Sequence, residues 1–345
     1  MTTTLLVQTD RILHNINLMQ KHLNDTAIIP NLSANAYGLG DVAVGQLLAK
    51  EGYSFFAVSR LEEAERLLNA LPGIEVLLLT PYSTEPEVVR IVQRDIIATV
   101  GSNDGAVILS GVAGQMGTKA RCHLRFDLGA GSSGYLPADA GKAAQTIKYC
   151  THLLVEGVYA SLTGEDNEKR SRLQYEEFQK ALQALSKEKI RYGGAHIANA
   201  AAGLRFPWAR MDGVRIGPAL TGRLPIRDKW GLKRVGRVVT EISDIRWVPK
   251  GRRLGGRVKL RRPTRVATLP VGYADGLFSE QKDGHRLFGR KLYCEYQGKR
   301  VPVLGQPGYT TTMVDVTDLT CSAGAQVSFE VSPYYVNNGL RREYV

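Results

Sequence analysis

The sequence predicts an α/β protein, a (β/α)8 TIM-type barrel with a C-terminal all-β domain, and three observations carry that prediction. Short apolar runs alternate with helix-periodic stretches from residue 27 to residue 216, the alternation expected of a closed parallel barrel. After about residue 224 the helical periodicity stops, and short β-branched runs separated by Gly- and Pro-bearing turns take over. The competing open, doubly wound sheet wants a Gly-rich phosphate loop after an early strand. The nearest candidate, "LGAGSSGY" at 128–135, follows the fifth run and lacks the usual acidic partner.

The barrel strands are read at 27–32, 55–58, 76–79, 96–100, 122–126, 153–159, 194–197 and 213–216, each an apolar run too short for a helix. Helices at 41–51, 61–70, 84–93, 103–109, 138–148, 168–186 and 200–204 fill the gaps, and one more at 11–23 precedes the first strand. "LPIRD" at 224–228 reads as a linker. Beyond it, strands are expected at 237–242, 257–260, 265–270, 292–296, 301–303, 312–316 and 326–330. The domains are therefore 1–229 for the barrel and 230–345 for the β domain.

A chain of 345 residues with 43% hydrophobic and 23% charged residues is ordinary for a globular protein. No apolar run reaches the length of a membrane span, and the start carries no leader-like basic and apolar blocks. Cys122, Cys150, Cys294 and Cys321 are scattered, which fits reduced thiols and a cytoplasmic location. No pair of histidines has metal-ligand spacing, so no metal site is expected. The net charge of +12 is concentrated partly in "KGRRLGGRVKLRRPTR" at 250–265. Such a stretch can be a solvated basic face or can steer a small anion. Nucleic acid is disfavoured, because no aromatics are interleaved to stack bases.

Parallel barrels place chemistry at the carboxyl ends of their strands. That rule selects Ser33 to Tyr37, Asp127 to Gly134, Ser161 to Gly164, His196 to Ala200 and Arg215 to Gly222. Gly217 and its neighbours can cradle a phosphate after the last strand. Plainer roles stand beside these. Tyr37 and Tyr273 can be packing residues, Asn199 an N-cap, His196 a hydrogen-bonded core residue, and Arg215 an ion-pair partner of Asp212 or Asp127. Neither Ser33 nor Ser161 has a Lys or His beside it in sequence to activate a nucleophile.

Four segments, "SANAYGLG", "HIANAAAGLRFP", "MDGVRIGPALTG" and "RPTRVATLPVGYADGL", occur in the order of motifs that the chain shares with alanine racemases. It resembles this pyridoxal-phosphate family over nearly its whole length. The resemblance implies a barrel followed by a β domain, and head-to-tail homodimers whose active sites borrow residues from the partner's β domain. It also implies two bases, a Lys that holds the cofactor as an imine and a Tyr from the partner subunit. Tyr273 matches that Tyr. Tyr37 and Tyr344 match phosphate-contacting tyrosines, Arg215 matches the Arg facing the pyridine nitrogen, and Asn199 and Gly217 keep their places.

Other matched positions depart. Ser33 stands where the family has its Lys, and a hydroxyl cannot form an imine. Arg125 replaces a carbamylated Lys, Ser132 an Arg, Ser161 a His and Ala200 a Ser. "GQPGYTTT" at 305–312 replaces a Cys-Met-Asp motif. These departures predict a racemase-like pseudoenzyme with no covalently bound cofactor. Pyridoxal phosphate would be held, if at all, without a covalent link. The predicted role is binding, of a small anion or of a cell-wall-synthesis protein, tied to D-alanine and peptidoglycan precursors. Two alternatives stay open: changed chemistry in the same pocket with Tyr273 near Arg215 and Arg125, or a racemase using a substitute lysine such as Lys259.

Overall fold

The computed structural model describes residues 3–24, 26–254, 258–277 and 292–345. They form two compact units. One takes Leu13–Lys233, the other Met1–Ile12 together with Arg234–Val345. The opening residues thus belong to the β unit, whereas the sequence prediction of 1–229 grouped them with the barrel. The strand Thr4–Val7 is the reason. It pairs antiparallel with Gly236–Glu241 and parallel with Arg341–Tyr344.

In the larger unit, eight parallel strands run around a ring. Ala27–Pro30 bridges to Phe55–Val58, which pairs with Glu75–Leu78. A bridge from Leu77 to Ile97 leads on to Ala98–Val100, and Ala120–Arg125, Leu153–Tyr159 and Gly194–His196 follow in order. Gly213–Ile216 pairs in parallel with both Ala198–Asn199 and Ala27–Pro30, closing the ring. Helices occupy the gaps as the periodicity predicts. The helix Asn103–Gln115 runs on past residue 109, where the sequence reading ended it. Its Gly114 is a packing residue: a Cβ there would lie 3.0 Å from the His152 ring.

The ring is filled by side chains. Ile29, Ala57, Leu77 and Ile97, one from the region of each of the first four strands, form a buried apolar cluster against Phe55 and Leu79. Ala120–Arg125 turns Arg121, His123 and Arg125 to one side, as a period of two requires. Arg121 is ion-paired with Glu75, Glu156 (2.7 Å) and Asp95 (3.3 Å). The register slips by one between Cys122 and His123, leaving Glu156 as the extra residue. The bulge puts Gly157 against His123, where a Cβ would come within 2.4 Å of the imidazole.

The β unit is built from a six-stranded sheet and a three-stranded sheet. The first is ordered Lys299–Pro302, Tyr293–Tyr296, Gln326–Glu330, Gly236–Glu241, Thr4–Val7, Arg341–Tyr344; the second is Asp244–Val248, Thr264–Leu269, Thr312–Asp315. Thr4–Val7, Asp244–Val248, Arg253–Leu254 and Arg341–Tyr344 are strands that apolar patterning did not reveal. The expected strand at 257–260 falls partly outside the described residues; within them Val258–Lys259 pairs with Arg253–Leu254.

Leu77 is fully buried in the ring. Leu77→Ala is expected to cost about 2–5 kcal/mol of unfolding free energy, read from urea denaturation. A loss below roughly 1 kcal/mol would mean that this layer is not close-packed.

Candidate functional site

A cavity of about 350 Å3 opens in the larger unit, lined by residues from the carboxyl ends of its strands. Tyr37, Arg125, Ser161, Asn199, Ala200, Arg215 and Gly217, all selected from sequence, line it. Ser132 reaches it through Arg125, whose guanidinium donates to Ser132 Oγ at 2.9 Å.

Ser33 begins an unusual turn. Ala34, Asn35, Ala36 and Tyr37 all have φ between 50° and 59°, a left-handed run of non-glycine residues. Such a conformation costs about 1–2 kcal/mol per residue, so its neighbours must hold it. The Gly38 amide donates to the Ala34 carbonyl at 3.0 Å, and the Gly40 amide to Asn35 at 2.9 Å. The buried Glu63 carboxylate accepts from the amides of Asn35, Ser59 and Arg60. Ser33 itself is buried. Its hydroxyl donates to Asn31 Oδ1 at 2.5 Å and lies 2.8 Å from Ser59 Oγ.

The turn delivers Tyr37 onto Gly217. A Cβ on Gly217 would sit 2.2 Å from the Tyr37 ring, so only glycine leaves room. The Tyr37 hydroxyl accepts a hydrogen bond from the Asn31 amide at 3.1 Å. Asn199 is an N-cap, as its plainer role supposed: its Oδ1 accepts from the Ala202 amide at 3.0 Å, and its amide contacts Glu165.

Arg215 is 7% exposed. It donates to the Ala160 carbonyl at 2.6 Å, to Ser161 Oγ at 3.0 Å and to the His196 ring. The alternative ion pair with Asp212 or Asp127 is not formed. Asp212 accepts the Ala195 amide at 2.7 Å, and Asp127 accepts the amides of Gly129, Ala130 and Gly131. Burial, with a lesser contribution from the Arg125 charge, lowers the Arg215 guanidinium to about 10, so it stays charged at neutral pH.

The element that joins these groups is Tyr159, which the sequence analysis did not single out. Its ring stacks on His196 at 5.2 Å and carries Arg215 at 5.2 Å and Arg125 at 5.7 Å. Its hydroxyl donates to the Leu79 carbonyl at 3.0 Å, the carbonyl that also receives Arg125. Tyr159 ends its strand two residues before Ser161, so the strand-end rule reaches it if extended inward. His196 continues the chain of contacts to His123, 3.2 Å away.

Tyr273 and Tyr344 belong to the β unit. Tyr273 is 47% exposed and meets Tyr309 edge-on at 5.0 Å. Gly272 allows this segment to pass close to 305–312; a Cβ there would lie 2.3 Å from the Tyr309 carbonyl oxygen. Tyr344 ends the edge strand Arg341–Tyr344. Lys259 is exposed in the short strand Val258–Lys259 of the same unit. Among the described residues no cluster of His, Cys, Asp and Glu has a metal-holding arrangement, and no helix is long and apolar enough to cross a membrane.

His123 is lowered from 6.5 to about 4, first by burial and then by the Arg215 and Arg121 charges. His196 is shifted the same way by the same kind of surroundings. The unfolded chain binds these protons below about pH 6.5 and the folded chain does not, so stability is lost as pH falls from 6.5 towards 4. His123→Gln should flatten that slope by about 1.4 kcal/mol per pH unit, measured by urea unfolding at several pH values. An unchanged slope would contradict the neutral buried imidazole.

Residues 7–225 match the family described as alanine racemase, N-terminal domain, and residues 235–332 match alanine racemase, C-terminal domain. Alanine racemase 2 of Caldanaerobacter subterraneus subsp. tengcongensis is 31% identical over 97% of this chain and 86% of its own length. The alanine racemase of Clostridium novyi is 30% identical over 97% of this chain and 86% of its own. Among solved structures, alanine racemase from Clostridium difficile superposes with a TM-score of 0.89 at 23% identity, covering 100% of this chain and 96% of that one. The Bartonella henselae alanine racemase, which holds covalently bound pyridoxal phosphate, gives 0.84 at 22% identity, with 100% of both chains covered. By sequence along both domains and by fold, the chain belongs to the alanine racemase family.

Proposed function

We propose that this chain binds a small anionic molecule non-covalently in the mouth of its barrel and does not racemise alanine through a lysine-bound cofactor. The observation that carries this reading is the chemistry of the cavity wall. Among the described residues that line it, none is a lysine. Ser33, at the family's lysine position, is tied by its hydroxyl to Asn31 and Ser59. The residues present therefore do not fit pyridoxal phosphate as an imine-linked group. Tyr37 against Gly217, with Arg215 nearby, leaves a cradle suited to a non-covalent anion.

In this proposal the chain works as a cytoplasmic head-to-tail homodimer. Its role is binding or regulation near D-alanine and peptidoglycan precursor metabolism, a link that rests on family analogy. The relatives favour a second reading, an active enzyme of the family, because those reported above are named alanine racemases. That enzyme would use Tyr273 with a lysine from elsewhere, or would run changed chemistry beside Arg125 and Arg215. The two readings part on one question, whether any lysine of the folded chain takes the cofactor.

The full chain is to be incubated with pyridoxal phosphate, treated with borohydride and mapped by peptide mass spectrometry. No single stoichiometric pyridoxyl-lysine peptide is expected, and no exchange of the alanine Cα proton with deuterium. A unique modified lysine together with Cα exchange would establish the second reading. Ser33→Lys alone should leave racemisation roughly 100-fold or more below ordinary family rates, because Arg125 and Ser132 are also changed. Full activity from that one substitution would overturn the proposal.

A further inference from the structure

We infer that the barrel-mouth ligand is a two-ended dianion, a small molecule with a negative group at each end, held between Arg125 and Arg215 across the Tyr159 ring. This rests on the proposed non-covalent anion pocket and names the class of its occupant.

Three features lead there. The first is a charge imbalance. Among the described residues lining the cavity, Arg125 and Arg215 are the only charged side chains; no Asp or Glu lines it. Some arginines elsewhere pair with carboxylates: Arg66 with Asp41, Arg90 with Glu65, and Arg121 with Glu75, Asp95 and Glu156. Neither pocket arginine has an ion-pair partner among the described residues. Two neighbouring cations in a partly desolvated pocket repel each other, and a bound dianion removes that cost.

The second feature is the supply of donors. Arg125 spends hydrogens on the Leu79 carbonyl and Ser132 Oγ. A guanidinium carries five N–H groups in a planar fork, so Arg125 retains donors for a carboxylate. Arg215 is more fully engaged, by His196, Ala160 and Ser161. It contributes a fixed charge, and the Ser161 hydroxyl beside it lines the cavity as a further polar contact.

The third feature is placement. Both guanidiniums sit over one ring, at 5.7 Å and 5.2 Å from its centroid. Tyr159 is itself fixed by Thr99, Leu79 and the His196 ring. Both positive groups thereby lie against the same buried side chain. A single-headed monoanion offsets one of the two charges; a molecule with two acidic ends offsets both.

The test is calorimetric titration of the full-length protein with succinate, acetate and inorganic phosphate at one ionic strength. Succinate is expected to bind at least about tenfold more tightly than acetate. Arg125→Gln removes the guanidinium that has donors to spare and should weaken succinate by at least about tenfold. Ser132→Asp supplies a second route that leaves both arginines in place. Its carboxylate neutralises Arg125 and should weaken succinate by a similar factor. Circular dichroism checks that both variants fold; if one does not, the other decides.

Equal affinity for succinate and acetate would overturn the inference, as would succinate binding untouched by the folded variants. Phosphate binding more tightly than succinate would overturn the two-ended geometry. The outcomes separate from those of the preceding proposal: a pyridoxyl-lysine peptide sinks that reading, whereas an unlabelled chain without succinate preference sinks only this one.

Discussion

The arrangement at the barrel mouth depends on one pairing, Ala27–Pro30 alongside Gly213–Ile216. The register sets Pro30 beside Ile216, and the chain leaves each strand at the same level. Gly217 therefore meets the turn that begins at Ser33, and Tyr37 drops onto it. A one-residue slip would invert which side chains face inward. Arg215 would then leave the interior, and the contacts with His196 and Ser161 would be lost.

From that closure the chemistry of the interior follows. The strand Ala120–Arg125 carries basic side chains at three successive inward positions, and each is handled differently. Arg121 is neutralised by carboxylates. His123 stays neutral because burial and nearby arginines oppose its protonation. Arg125 has no ion-pair partner among the described residues and faces the cavity. One strand thus grades from a compensated ion, through an uncharged ring, to an uncompensated ion. The unbalanced end lies where the cavity opens, and this is why the pocket reads as a place for anions.

The ring of strands was legible because its signal is local: short apolar runs and helical spacing are visible without knowing what touches what. What escaped depended on distant partners. "TLLV" at Thr4–Val7 is a strand because Gly236–Glu241 and Arg341–Tyr344 flank it, and "RREY" carries too much charge to announce one. The left-handed run after Ser33 was read only as a strand-end loop; its handedness comes from contacts with Glu63 and Gly38 that the sequence does not show. In the site, strand ends pointed to Ser161 and Arg215, and the family resemblance to Arg125. Tyr159 was missed because it reads as one more core aromatic, and its role comes from the charges laid over it. The pairing of Arg215 with an aspartate failed for a related reason. Both nearby aspartates are engaged by backbone amides, which sequence proximity does not show.

The left-handed segment after Ser33 has a consequence for the outline of the pocket. Its bend is set by main-chain contacts and by Glu63, and the Ser33 hydroxyl ties its first position to Asn31 and Ser59. A wall bent by its own main chain sets the outline of the barrel mouth before any guest arrives.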